Sequence, residues 1–212
     1  MNSQNTSVRK PKIGISACLL GSEVRYNGGH KESRLCSRTL TEYFDFIGIC
    51  PEVAIGLPVP RPPIQVVQVD DALRVKGVEN PQQDVTEALE DVAAGMTEPL
   101  SGFVLKARSP SCGHLSTPVH NAGGQQIGMA SGAFARKLHE LFPRIPLAND
   151  SDLEKPAFLQ SFLLQVYCYH QWHHSDHQGQ WLNDMQAQSE QLDEPLHSGL
   201  RHYLDKLGQA MH

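Results

Sequence analysis

The chain has 212 residues with a formal net charge of −5, and 40% of its residues are hydrophobic. This composition is typical of a globular protein with one domain, and the slightly acidic charge argues against a polyanion-binding surface, so we expect no stable complex with nucleic acid. The first ten residues are polar and lack the apolar stretch of a signal peptide, and no apolar run is long enough to cross a membrane. We therefore expect a cytoplasmic protein without membrane contact and with a disordered tail at residues 1–11.

Short strands alternate with helices along the chain. The predicted strands are Lys12–Ala17, Phe44–Ile49, Ser101–Ala107 and Ile145–Ala148. The predicted helices are Thr39–Tyr43, Asp84–Met96 with Asp84 as its N-cap, Gly132–Leu141, residues 158–174 and a polar C-terminal helix near Leu196–Leu207. This alternation predicts a doubly wound, Rossmann- or flavodoxin-like α/β fold, in which helices cover both faces of a mostly parallel sheet. We expect the α/β domain at residues 12–172 and a helical extension at residues 173–212.

Five cysteines are spread over the chain: Cys18, Cys36, Cys50, Cys112 and Cys168. An odd number in a chain without a leader argues against a disulfide framework. Cys18, Cys50 and Cys112 stand at or just after predicted strand ends, and parallel strands present these ends at one edge of a sheet, where ligands bind. We therefore expect the three thiols to converge on an open site, which suits zinc or an iron–sulfur cluster equally well. Cys36 and Cys168 lie in helical segments and are predicted to pack in the core.

Three segments of the chain resemble the signature blocks of a known family. They are ISACLLGSEVRYNGGHK at residues 15–31, CPEVAIGLPVPRPP at residues 50–63 and KARSPSCG at residues 106–113. In this order they resemble the thiouracil desulfidase family, and the resemblance runs from about Lys12 to about Trp172. It implies an α/β domain with an oxygen-sensitive [4Fe-4S] cluster held by three cysteines, which removes sulfur from thiolated uracil and releases uracil and sulfide. Free thiouracil and a thiouridine-type nucleoside or nucleotide are both open as substrates.

The resemblance also implies roles for individual residues. Cys18, Cys50 and Cys112 would hold the cluster, and a free iron would act as a soft Lewis acid for the substrate sulfur. Glu52 would be the acid/base, since it stands two residues after a cluster ligand. In the Ser-Pro-Ser-Cys block, the serine hydroxyls would contact the substrate or shuttle a proton, in the order Ser109 and then Ser111. The chain departs from many relatives at Val24 and Asn27, where those carry cysteine and aspartate.

Other interpretations stay open from the residues alone. A zinc-dependent hydrolase and a cluster-bearing module that binds nucleic acid are the alternatives to a desulfidase. A proline-rich loop places Arg61 either beside the site, aimed at a carbonyl or phosphate, or in a rigid linker. Near the C-terminus, four histidines have helical spacing and would form a solvated helix end or a metal site: His170, His173, His174 and His177.

Overall fold

The computed structural model describes residues 10–192, 194 and 196–209, so most of the predicted tail at residues 1–11 lies outside the described residues. These described residues contain eight strands: β1 Lys12–Ser16, β2 Asp45–Ile49, β3 Ile64–Val69, β4 Ala72–Gly77, β5 Phe103–Leu105, β6 Thr117–His120, β7 Gln126–Ala130 and β8 Leu147–Asn149. The α-helices are α1 Pro51–Ala54, α2 Thr86–Ala94, α3 Ala133–Leu141, α4 Pro156–His173, α5 Gln178–Ser189 and α6 Leu196–Gly208. Shorter helical turns follow β1 at Ala17–Leu20 and precede β2 at Leu35–Thr39 and Leu40–Glu42.

A parallel sheet of four strands forms the centre of the fold, in the order β2-β1-β5-β8. Successive side chains of a strand point to opposite faces, and both faces are covered. On one face Val104 of β5 joins a core cluster that includes Phe162 and Val166 of α4. On the other face Phe103 packs against Phe134 of α3, with ring centroids 5.5 Å apart. The predicted α/β architecture, with helices around a parallel sheet, is confirmed.

A second sheet of four strands, absent from the sequence prediction, lies beside the first. Its order is β4-β3-β6-β7. The pairs β3–β4 and β6–β7 are antiparallel hairpins, while β3 and β6 run parallel. Helix α2 follows β4, and the prediction of Asp84 as its N-cap is wrong, because the helix begins at Thr86 and its N-cap residue is Val85. The Asp84 carboxylate accepts the Thr86 N–H at 3.0 Å and the Arg74 Nε–H at 2.8 Å, while the Asp84 backbone forms a β-bridge with Lys76.

Helices α5 and α6 pack against α4 and bury one apolar cluster. This cluster contains Trp172 of α4, Leu182 of α5 and Leu204 of α6, each at most 7% exposed. The predicted helix near Leu196–Leu207 is therefore present, and it packs on the preceding helices. The division of the chain into a domain at 12–172 and an extension at 173–212 stays a prediction. None of the helices in the described part of the chain combines the length and apolar composition needed to cross a membrane.

Candidate active site

A cavity of about 500 Å³ lies at the carboxyl edge of the parallel sheet, facing the second sheet. One wall is formed by residues that follow the parallel strands, and the opposite wall by residues of β3 and β6, among them Val66 and Thr117. Its volume falls in the range typical of small-molecule sites. The cavity therefore occupies the position where open α/β sheets bind their ligands.

Three cysteines reach this cavity from three neighbouring strands. Cys18 lies in the helical turn after β1, Cys50 stands between β2 and α1, and Cys112 lies in the loop after β5. Because β2, β1 and β5 are adjacent in the sheet, the three residues line the same cavity. The convergence predicted from the strand ends is thus observed, and all three cysteines are free of disulfides.

The thiols of this cavity are held in their protonated form by their surroundings. Burial raises the pKa of Cys18 to about 11, and the Arg25 guanidinium opposes part of that shift. Burial also raises the pKa of Cys50 and the pKa of Cys112, with a hydrogen bond from the Ser16 side chain working in the opposite direction at Cys112. Thiolates at these positions therefore need a metal or another positive group to stabilise them.

Glu52 is fixed by donors on both carboxylate oxygens. Ser111 Oγ donates to Oε1 at 2.8 Å, and Arg61 Nε donates to Oε2 at 2.8 Å. The side chains of Glu52 and Arg61 are only 13% and 3% exposed, so the ion pair is almost completely removed from solvent. Glu52 lines the cavity, whereas Ser111 is 0% exposed and lies behind the carboxylate. This arrangement presents an oriented carboxylate to whatever the cavity binds.

Ser109 lines the cavity and also shapes the loop that carries Cys112. Its Oγ accepts the backbone N–H groups of Ser111 at 3.3 Å and Cys112 at 3.1 Å. A hydroxyl has one proton to donate besides the lone pairs that accept, so the Ser109 O–H remains available to a ligand. The structure therefore gives this serine a structural contact and leaves its predicted substrate contact as a proposal.

The two other cysteines and the four predicted C-terminal histidines lie away from the cavity, whereas His120 at the end of β6, absent from the sequence predictions, lines it. Cys36 and Cys168 are buried in two different apolar clusters, which confirms their predicted packing. His170 Nδ1 is 2.9 Å from Ser101 Oγ, and His177 lies beyond the end of α4, so the four histidines do not share one helix face. Across the described parts of the chain, no group of three or more histidine, cysteine, aspartate or glutamate side chains could hold a metal ion.

An ion pair on the cavity wall was missed from the sequence. Lys106 Nζ donates to Asp150 Oδ2 at 2.7 Å, and the other oxygen of Asp150 accepts the Ala107 N–H at 2.8 Å. Lys106 directly follows β5 and Asp150 directly follows β8, which are neighbouring parallel strands. The strand-end argument that predicted the cysteine positions would also have found this pair. Its effect is to fix the first residues of the loop that leads to Cys112.

The glycine that precedes α3 sets the position of the same loop. A Cβ on Gly132 would lie 2.6 Å from the carbonyl oxygen of Ser111, closer than side-chain carbons approach backbone atoms. We expect Gly132→Ala to displace the loop and to lower the free energy of unfolding by about 1–3 kcal/mol. Gly128→Ala on β7 is the matched control, since a Cβ there meets nothing within 4 Å. Chemical denaturation of both variants measures the difference, and equal stabilities would contradict the packing argument.

Comparisons with known proteins identify the family of the chain. A model of the 2-thiouracil desulfurase family matches residues 13–150, which include all three cavity cysteines. The uncharacterized protein YbbK of Bacillus subtilis (strain 168) is 35% identical over 149 residues, covering 65% of this chain and 96% of the relative. The solved structure of the [4Fe-4S]-dependent thiouracil desulfidase TudS matches with 31% identity and a TM-score of 0.52, covering 72% of this chain and 99% of its own. With more than half of its length matched by the family model, the chain belongs to the 2-thiouracil desulfurase family.

Proposed function

We propose that this protein removes sulfur from thiolated uracil, releasing uracil and sulfide, with a [4Fe-4S] cluster bound by Cys18, Cys50 and Cys112. The observation that carries the proposal is that these thiols and the carboxylate of Glu52 line one cavity. The family supports the substrate class, and a solved relative is a [4Fe-4S]-dependent thiouracil desulfidase. The substrate sulfur therefore belongs beside the three thiols, and the reacting ring carbon beside the carboxylate.

The residues of the cavity fit a cluster better than a single metal ion. A zinc site needs its ligands grouped around one ion, and the described residues contain no such group. In a cluster each thiolate binds a separate iron, so the sulfurs can stand further apart. Arg25 Nε is buried without a hydrogen-bond partner in the described chain, and its guanidinium acts on the Cys18 thiol. The unpaired Nε–H of Arg25, beside the three cysteine sulfurs, is suited to donate to the sulfur of an anionic iron–sulfur cluster.

The cluster, when bound, would supply an iron without a protein ligand, which is a soft Lewis acid for the sulfur of the substrate. Glu52 would orient the attacking water and accept one of its protons while the C–O bond forms and the C–S bond breaks. The Ser109 hydroxyl would donate to the ring, and Ser111 would hold the carboxylate. Water provides the oxygen of the product, and its two protons leave with sulfur as hydrogen sulfide. The reaction consumes no oxidant or reductant.

The cavity supports a nucleotide as the preferred form of the substrate. The cavity of about 500 Å³ would hold both the cluster and the substrate, so the support comes from its charge rather than from its volume. Besides Arg25, which lies beside the Cys18 thiol, two cationic side chains on its wall, Lys31 and Arg108, have no ion pair among the described residues. A phosphate would supply the charge that these side chains lack.

Anaerobic turnover tests the proposal and the substrate form together. We expect sulfide release from thiouracil, thiouridine and thiouridine monophosphate, with the highest kcat/KM for the monophosphate. The ratio of kcat/KM for the monophosphate to kcat/KM for the free base should fall as salt is added, because salt screens the attraction between the phosphate and the cationic side chains. Equal kcat/KM values for base and monophosphate would contradict the role of the cationic wall. Absence of sulfide release from all three substrates would contradict the proposed function itself.

A further inference from the structure

Arg61 lies where three segments of the chain meet around the cavity, and its side chain is 3% exposed. We propose that Arg61 is the residue that positions Glu52, holding its carboxylate at the cavity wall and tying that position to the Cys50 segment. The proposal rests on the proposed function, because it assumes that Glu52 is the acid/base. It goes further by assigning a positioning role to a residue that the resemblance left without one.

The contacts of Arg61 leave it little capacity to bind a substrate directly. Nε donates to Glu52 Oε2 at 2.8 Å, and Nη2 lies 2.6 Å from the same oxygen. Nη1 donates to the Pro58 carbonyl at 3.1 Å and Nη2 to the Val24 carbonyl at 2.9 Å. The Arg61 backbone N–H also donates to Tyr26 at 2.8 Å. The planar guanidinium is thus held on three sides and acts through the carboxylate.

The two oxygens of Glu52 are bound unequally, and this gives them different tasks. Oε2 is approached by two nitrogens of Arg61, whereas Oε1 accepts a single hydrogen bond from Ser111. Each carboxylate oxygen can accept about two hydrogen bonds. Oε1 therefore keeps one acceptor position for a water in the cavity. By occupying Oε2, Arg61 determines that Oε1 is the oxygen that accepts from this water.

Val24 connects this ion pair to the cysteine site. Its carbonyl oxygen accepts from Arg61 Nη2 at 2.9 Å and lies 3.8 Å from Cys50 Sγ. A Cys50 thiolate bound to iron has no proton to donate, so the second contact is one of packing. Glu52 follows Cys50 by two residues on the same helical turn. Arg61 therefore fixes the carboxylate relative to the sulfur of Cys50 through contacts on both sides. A displacement of even an ångström between reacting groups lowers a rate strongly.

The test compares Arg61→Ala and Arg61→Lys with Arg74→Ala in the cluster-loaded protein. Arg74 is the matched control, because it pairs with Asp84 and Glu87 on the outer side of the second sheet, away from the cavity. We expect kcat to fall about 10- to 100-fold in Arg61→Ala, with KM and iron content within about twofold of the unchanged protein. Lysine, which offers one point charge, should give an intermediate kcat. Arg74→Ala should keep the kcat of the unchanged protein. Millimolar guanidinium should restore part of the activity of Arg61→Ala and should leave the activity of Arg74→Ala unchanged.

Two further measurements distinguish a failure of the positioning role of Arg61 from a failure of the proposed function. An unchanged kcat in both Arg61 variants, while the parent protein releases sulfide, would overturn the positioning role alone. Crystal structures of the two variants give an answer that does not need turnover: a Glu52 carboxylate that stays in place without Arg61 overturns the proposal, and one that moves supports it. If Arg61→Ala does not fold, Arg61→Lys provides both measurements.

Discussion

Glu52→Gln is expected to abolish most turnover while the protein keeps its iron. Glutamine preserves the size of the side chain and one oxygen but cannot accept a proton from water. General acid–base catalysis contributes about 10²- to 10⁴-fold, so we expect kcat to fall by that factor. Sulfide release at saturating substrate measures the loss, and the absorption of the cluster reports that the cofactor is still bound.

The same substitution also weakens the fold to a limited extent. Breaking a buried ion pair lowers the free energy of unfolding by about 3–5 kcal/mol when one charge is left without a partner. Because glutamine still offers an oxygen to Arg61, we expect the loss in Glu52→Gln to be smaller than this. Glu87→Gln is the control, because this carboxylate is 79% exposed on α2 and lies outside the cavity. Full activity in Glu52→Gln would remove Glu52 from the mechanism, and a similar loss in Glu87→Gln would show that the effect is not local.

Cys112→Ala is expected to remove both the cluster and the activity. The residue supplies one of three thiols, and two thiolates leave a cluster with too few protein ligands. We expect the iron content to fall from about four per chain to less than one, together with loss of the visible absorption. Iron analysis of anaerobically purified protein measures this loss directly.

Cys168→Ala is the matched control for that loss. Cys168 is also buried, at 4% exposed, but lies in the cluster between α4 and the C-terminal helices. Its removal should lower stability by about 1 kcal/mol through the small cavity it leaves, with the iron content unchanged. A full iron complement in Cys112→Ala, or an equal loss of iron in both variants, would contradict the assignment of ligands.

The arrangement of the cysteines could be predicted from the sequence because it depends on one rule, that the carboxyl ends of parallel strands meet at one edge of a sheet. Cys50 directly follows β2 and Cys18 is the second residue after β1. The apolar runs of both strands are short and clear, and parallel strands bring such ends together. The same rule gave the position of Cys112, although a loop separates it from β5. Cys168 was predicted to be buried from its place in an apolar helix, and it is.

The contacts that organise the site could not be predicted in this way. Arg61 meets Glu52 only because a proline-rich loop folds back over α1, and no periodicity in the sequence reports that path. The second sheet was missed, although its first hairpin has a signal: two runs with β-branched residues flank Asp70, whose φ of 52° lies in the left-handed region that aspartate tolerates. Since β3 and β6 form one wall of the cavity, its shape also lay beyond the sequence prediction.

Anaerobic release of uracil and sulfide by the purified protein is the decisive measurement of the proposed desulfidase activity. We expect equimolar uracil and sulfide from a thiolated substrate, without added oxidant or reductant, from protein that holds about four irons and equivalent acid-labile sulfide. Zinc-loaded protein should be inactive. Turnover by the zinc form, or no sulfide from protein with a full cluster, would contradict a cluster-dependent desulfidase.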